Sequence, residues 1–428
     1  MKHTIFLLAV IVVLGEQVLA QGGHNLTLQE AQAYALEHNR ELKNSSIDIK
    51  KAEASRWQSI ASMLPQVNVS VDYSNMMGYE MELSGLSISM PPYGTLGLTT
   101  SLSLSASQII AVQMNNISSK MADITYEQTE LQVINHVRSI YYSVLVMEET
   151  VNLLEKNLEN LENLLQHTRQ MVKVGVSEET DADQIAVQVA SMESSLNSGR
   201  RSLEMLYNSL RLQLGIDVDE KIELTQTIEG LMNIDKALSL LSEDFVLENN
   251  YDYQLLMQNL EISKKQLDLQ KWAYVPSVSA YYQYSAKEYF SDEETMNMTP
   301  PNMVGVTLSV PVFSSGSRYK AVQEAKFDYQ KQLNTLTDTK ESLVIQHRQL
   351  CYNLKSAFEN FEAQKENMEV IQRVFDNISL KYEKGIASSL DVTDSGTSLI
   401  TAQSNYVQAL MDIVTAQIAL EELLNQNE

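Results

Sequence analysis

The sequence predicts a mainly helical, tandem-duplicated chain in which very long coiled-coil helices are joined to four β-strands. Three observations carry this. All seven prolines fall in two windows, Pro65, Pro91 and Pro92 in the first and Pro276, Pro300, Pro301 and Pro311 in the second. Inside those windows apolar and polar residues alternate. Matching residues also recur in the same order in the two halves of the chain.

Composition narrows the function classes. The 428 residues hold 55 acidic and 31 basic side chains, a net charge of −24. That acid excess argues against nucleic acid, whose phosphates call for a Lys/Arg surface. Gly (15) and Pro (7) are scarce, below the usual ~7% and ~5%. The single cysteine, Cys351, excludes a disulfide framework and a Cys-based metal cluster.

The first element is an export signal over 1–20. Lys2 and His3 precede an apolar run from Ile5 to Leu14, and Val18-Leu19-Ala20 ends it as a cleavage site. The run is shorter than the ~20 residues of a spanning helix, and no later window approaches that length. Gln21 follows where a lipid-anchored chain would carry Cys.

The strands come from period two. Val67, Val69, Val71 and Tyr73 interleave with Asn68, Ser70 and Asp72, and Leu96, Leu98, Leu102 and Leu104 with Gly97, Thr99, Ser101 and Ser103. The second window repeats the pattern through Val278, Ala280, Tyr282 and Tyr284, then Val304, Val306, Leu308, Val310 and Val312. Such alternation, rich in β-branched and aromatic residues, means strand. Four strands are expected at about 66–75, 95–106, 277–286 and 303–313, close to the 9–11 residues that cross a bilayer. The first window holds no Lys or Arg and the second only Lys287. Tyr73, Tyr93, Tyr281, Tyr282, Tyr284 and Tyr289 could form an interfacial girdle. The segments between paired strands, Ser74–Gly94 and Ala286–Asn302, read as exposed loops.

Proline breaks helix interiors, so the proline-free stretches are helices. Ser107 to Lys173 would span roughly 100 Å, and Ser317 to Lys384 is nearly as long. Leu154, Leu158, Leu161 and Leu165, and likewise Leu354, Phe358 and Phe361, form heptad-like seams. Shorter helices are expected at Leu28–Met63, Ser177–Leu214, Tyr251–Tyr274 and Ser388–Asn425, with a small side element over Ile216–Leu241.

The duplication shows in Glu37/Glu248, Asn39/Asn250 and Pro65/Pro276, then in Arg138/Arg348, Tyr142/Tyr352, Gly175/Gly385 and Asp181/Asp391. The first repeat covers 21–215, a linker 216–242, and the second repeat 243–428. Four strands cannot close a barrel, and an open edge in lipid leaves backbone groups unpaired at several kcal/mol each. Chains must share the barrel, two copies giving eight strands and three giving twelve.

This plan resembles the TolC-like outer-membrane efflux (outer membrane factor) family over nearly the whole mature chain. Leu26-Thr27-Leu28-Gln29-Glu30-Ala31 through Asn39 is similar to the family's first-helix signature. Val174-Gly175-Val176 before Thr180-Asp181, and Tyr382-Glu383-Lys384-Gly385 before Leu390-Asp391-Val392-Thr393-Asp394, are similar to its two periplasmic helix turns. The resemblance implies a homotrimer with a twelve-stranded barrel in the outer membrane and an α-helical periplasmic tunnel. It implies a passive duct that works with a periplasmic adaptor (membrane fusion protein) and an inner-membrane pump of RND, ABC or MFS type. Adaptor docking is expected at Val174, Gly175, Val176, Lys384, Gly385 and Ile386, with Lys384 standing where the family pattern is apolar. Asp391 and Asp394 match the acidic rings at the tunnel entrance. Asp181 and Tyr382 match its gate contacts, while Ala387 replaces the gate arginine.

The residues have blander readings too. Asp391 and Asp394 would complement a helix N-terminus, and Gly175 and Gly385 would be left-handed helix stops. No GxGxxG, P-loop or HExxH occurs, so neither a cofactor nor enzymatic activity is expected. The six histidines are scattered, and Cys351 reads as a small packed residue. The alternative class is an exported coiled-coil structural or adhesive surface protein. It accounts for long helices but not for four strands placed symmetrically in two halves. A periplasmic adaptor would show one helical hairpin without duplication.

Overall fold

The computed structural model describes residues 24–83, 86–228, 234–290 and 299–425. The expected signal segment at 1–20 lies outside them. In chain order the elements are β1 (His24–Leu26), α1 (Leu28–His38), α2 (Arg40–Ala61), β2 (Gln66–Ser74), β3 (Glu80–Leu83), β4 (Leu86–Ser89), β5 (Tyr93–Leu104), α3 (Ala106–Lys173), α4 (Glu179–Leu214) and β6 (Ile222–Leu224). They continue with α5 (Ile234–Ser239), α6 (Tyr251–Trp272), β7 (Ser277–Tyr289), β8 (Asn302–Ser309), α7 (Ser317–Glu383) and α8 (Ser389–Leu424). The fold is mainly helical and duplicated, as its sequence pattern requires.

The two longest helices, α3 and α7, have 68 and 67 residues, each about 100 Å at 1.5 Å per residue. Ser105 starts α3 with a capping box, its hydroxyl accepting from Gln108 N while the Gln108 side chain accepts from Ser105 N. Each long helix folds back on its shorter partner, α3 on α4 and α7 on α8. The expected helix Leu28–Met63 is two helices. Asn39 leaves helical geometry (φ −58°, ψ 133°) and accepts from Glu41 N and Leu42 N, so it ends α1 and caps α2. An Asn cap outcompetes the helical backbone there.

Asn39 also reveals the duplication in three dimensions. Its buried amide donates to Gln213 O at 2.8 Å, at the end of α4. Asn250 caps α6 and donates to Leu423 O at 3.2 Å, at the end of α8. Each repeat thus ties its short helix to its last one with the same residue.

β2, β5, β7 and β8 form one antiparallel sheet in that order. Directly paired residues point to the same side, so the register sorts the two faces. Val67, Thr100, Tyr282 and Val304 form one row, and Leu104, Val278 and Leu308 another. The opposite face carries Asn68–Thr99–Gln283–Met303, Ser103–Ser279–Thr307 and Asp72–Thr95–Lys287. One side is therefore apolar and the other mainly polar. The apolar side is bare, with Val71 80% and Val304 76% exposed. Along β7 the polar-side residues are half-buried and the apolar-side ones, Ala280 excepted, are exposed. On the polar side Tyr281 lies across Gly305, where an added Cβ would sit 2.5 Å from the ring.

The strands differ from expectation at their ends. β8 stops at Ser309 and leaves Val310–Phe313 unpaired, because Pro311 has no N–H to give the ladder. β7 runs three residues further, to Tyr289. The first loop contains a hairpin in which β3 pairs antiparallel with β4, Glu80 opposite Ser89 and Leu83 opposite Leu86.

The main core lies midway along the bundle. Ala31, Ala35, Val137, Tyr141, Leu210, Ile222 and Ile413 pack there. The side element contributes Ile216, Ile222 and Ile228 to it, and β6 pairs in parallel with β1. Tyr141 Oη donates to Leu26 O at 2.9 Å, pinning β1 to α3. Burial pushes the Tyr141 phenol up to about 12. Arg138 on α3 and Glu421 on α8 form an ion pair across the repeats, with both side chains at least 96% buried. No described helix is long and apolar enough to cross a membrane.

Candidate functional site

The ends of α3, α4, α7 and α8 meet at the tip of the bundle far from the sheet. Both turns at this tip are built alike. Gly175 (φ +77°) and Gly385 (φ +69°) are left-handed. Gly175 N bonds Val172 O and Val176 N bonds Met171 O, at 3.0 and 2.9 Å. Gly385 N bonds Tyr382 O and Ile386 N bonds Lys381 O, both at 2.8 Å. These are paired Schellman stops, which satisfy the last carbonyls and require φ above zero at the glycine. The flanking Val174, Val176 and Ile386 are 74%, 69% and 72% exposed, and a Cβ at either glycine would meet only open space. The turns present bare apolar knobs, and Lys384 in the second turn is exposed as well.

Asp391 and Asp394 lie in the first turns of α8, both exposed, opposite the buried face of Val392, Ser395 and Leu399. The i,i+3 spacing puts them on one side of the helix. Ser388 caps α8, and its N–H and hydroxyl donate to Asp391 at 2.9 and 2.7 Å. Those two donors hold the Asp391 carboxyl below its usual range. The capping role and the shared acidic face therefore coexist in one residue.

The two expected gate residues engage other partners within the protomer. Asp181 accepts from Ser389 Oγ at 2.7 Å and from Glu178 N at 3.2 Å. Tyr382, 3% exposed, bonds the fully buried Thr168 at 2.6 Å. Thr168 Oγ1 already donates to Leu164 O at 2.9 Å, so Tyr382 is the donor to Thr168. Within the protomer each of the two thus makes one bond that joins the first repeat to the second. The reason is geometric, since Tyr382 turns inward between the hairpins while Asp181 stays at the helix start. Ser389 lies two positions beyond Ala387 and gives Asp181 a neutral donor where the resemblance implies arginine.

Sequence reasoning missed Thr168 and Ser389. Ser388-x-x-Asp391 is a legible capping-box spacing, but nothing in the sequence couples Thr168 to Tyr382. Above this pair a groove of about 920 Å³ runs between the hairpins, lined among others by Asn157, His167, Met192, Phe375 and Leu399. Asn157 bridges its upper part to Gln403 at 2.9 Å. Tyr382→Phe is expected to loosen the tip by removing one buried hydrogen bond, worth ~0.5–1.5 kcal/mol. In single-channel recordings it should raise mean conductance, Thr168→Val should match it, and the double variant should add little. Unchanged conductance in both single variants would reject a gating role.

Cys351 is half-buried with its sulfur 3.5 Å from His347 Nε2, and burial pushes the thiol up. That suits packing and not nucleophilic attack.

Comparison with known proteins gives a consistent result. The family described as "Outer membrane efflux protein" matches residues 33–216 and 244–426. Outer membrane protein TolC of Escherichia coli (strain K12) is 21% identical over 401 residues, spanning 90% of this chain and 79% of TolC. Pyoverdine export outer membrane protein OpmQ of Pseudomonas aeruginosa is 22% identical over 412 residues, spanning 91% and 83%. Among solved structures, the outer membrane protein VceC from Vibrio cholerae superposes with a TM-score of 0.73 at 16% identity, covering 93% of this chain and 95% of VceC. The Campylobacter jejuni CmeC outer membrane channel gives 0.75 at 16% identity, covering 93% and 85%.

Proposed function

The chain belongs to the outer membrane efflux protein family, and from that premise we propose that it is the passive exit duct of a tripartite export machine. The observation that carries this reading is the four-stranded sheet with its apolar side bare and its other side mainly polar. A lipid-facing apolar surface with a polar interior is the pattern of a membrane barrel. Its edge strands, β2 and β8, have no further strand beside them among the described residues. Three copies, each setting β8 against the next copy's β2, close twelve strands and remove every edge. The helices then continue from the barrel into the periplasm as a tunnel.

In this reading the bundle tip is the entrance. Three copies of Asp391 and Asp394 stack as two acidic rings, which favour cations. The Thr168–Tyr382 and Ser389–Asp181 bonds hold the entrance narrow, with Ser389 standing in for the arginine that Ala387 lacks. A periplasmic adaptor docks on the exposed turns Val174–Val176 and Lys384–Ile386, where paired apolar knobs offer a desolvable contact. An inner-membrane pump of RND, ABC or MFS type supplies energy and chooses the cargo.

The test is conductance. The purified protein should run as a heat-modifiable trimer from an outer-membrane fraction and open ion-conducting channels in planar bilayers. Monomers that give no conductance would overturn the proposal.

A further inference from the structure

A pocket of about 460 Å³ lies at mid-height of the bundle, on the seam of the two repeats. The start of α2, the end of α4, α3 and the end of α8 wall it. Glu41 and Glu422 bring two carboxylates to the lining, and His136 is its one base. No ion pair engages either carboxylate among the described residues. Burial pushes the Glu422 carboxyl up, Asp252 adds to the effect, and His136 opposes it. The lining is therefore net negative with the imidazole in either state. Asn135 in the same lining is only 4% exposed, and its Nδ2 has no hydrogen-bond partner. A buried donor without an acceptor is costly, and such a group calls for a ligand atom. Val133 and Ile418 add an apolar flank.

We propose that this pocket binds hydroxylated ammonium ions, amino alcohols or amino sugars in chemistry, as a cargo station on the tunnel wall. Its place on the wall rests on the duct reading; the binding chemistry does not. An ammonium group answers the two carboxylates with charge-assisted hydrogen bonds. A hydroxyl supplies the acceptor that Asn135 Nδ2 lacks. The ligand's carbon chain lies against Val133 and Ile418. The sides of α3 decide where the pocket faces. Gln132, Asn135, His136 and Ser139 recur at helical spacing on one side. Val137, Tyr141 and Val144, on the other, pack with β1, α1 and the side element. Three copies of those added elements inside a tunnel would plug it, so they lie outside and the pocket opens inward.

Glucamine, a six-carbon primary amine with a hydroxyl on every other carbon, is the probe. Calorimetric titration into the full-length protein in detergent should show saturable binding. Glucitol, which lacks the amine, should bind many-fold more weakly, and so should hexylamine, which lacks the hydroxyls. Glu422→Gln should weaken glucamine binding several-fold; the entrance acids are common to both proteins, so the difference reports the pocket. Asn135→Ala should weaken glucamine several-fold and leave hexylamine unchanged. Glucamine binding that is absent from the wild type, or equal in Glu422→Gln, would overturn the station, and channels that still conduct in planar bilayers would leave the duct standing. Equal losses of glucamine and hexylamine in Asn135→Ala would overturn the preference for hydroxyls. A wild type that binds glucamine but opens no channel would keep the pocket and remove its place on a tunnel wall.

Discussion

Arg138→Met is expected to destabilise the protein by about 3–5 kcal/mol, because it leaves Glu421 charged and unpaired inside the bundle. Glu421 is 2% exposed, and besides Arg138 it accepts from Gln417 Nε2 at 2.8 Å. One neutral amide does not replace a guanidinium. Glu421→Leu should also destabilise, by removing the carboxylate that the buried Arg138 guanidinium faces. The double variant Arg138→Met/Glu421→Leu should recover most of the loss, since an apolar pair of like volume carries no desolvation penalty. Urea unfolding of the trimer in detergent, followed by helical circular dichroism, measures all three. Single-variant losses under about 1 kcal/mol would show that the pair does not hold the repeats together.

The same pair shows where the sequence stops being informative. Arg138 is legible as a repeat marker matched to Arg348, yet Arg348 is exposed and Arg138 is buried. At the position of Glu421 the first repeat carries Arg211, which bonds Glu204, Asn208 and Glu220 O instead. Duplication predicts the backbone twice but not the charges, because each copy is free to diverge wherever it meets its neighbour. Local signals are more telling. Gly175 and Gly385 stop their helices by a chirality constraint that acts within one turn. Asn39 and Asn250 cap through bonds to residues two or three positions on. Period two separates the two faces of the sheet, since the pleat fixes which side each residue takes. The contacts that stay hidden join distant segments. Tyr382 meets Thr168 across 214 positions and Arg138 meets Glu421 across 283. No periodicity encodes such partners. The three-residue β1–β6 pairing is equally silent, being too short to show alternation.

The largest functional effect is expected at the entrance acids. If Asp391 and Asp394 face the lumen in three copies, six carboxylates crowd one constriction, and Asp391→Asn with Asp394→Asn should remove most of its cation preference. The reversal potential in a salt gradient should move toward the unselective value, and block by a trivalent cation should weaken. Folding offers a check on the interpretation. In Asp391→Asn the new amide would still present an oxygen to Ser388, so the start of α8 survives the change, whereas Asp391→Ala would lose the capping box as well. Asp394 makes the cleaner single variant, because its neighbourhood on the exposed side of α8 carries no capping duty. The pH dependence follows from the same contacts. Ser388 depresses the folded-state carboxyl of Asp391, so its charge and the capping contribution are present above the ordinary carboxylate range and vanish only as pH falls through the lowered value. Like charges in a ring push the other way and favour protonation of one another. Trivalent-cation block in the Asp394→Asn variant, titrated from neutral to acid pH and compared with the same titration of the double variant, which keeps Asp181, isolates Asp391. Block that persists into the acid range marks dominance of the Ser388 cap, and loss near the normal carboxylate pKa or above marks dominance of the ring. An unaltered reversal potential in the double variant would remove both residues from the lumen.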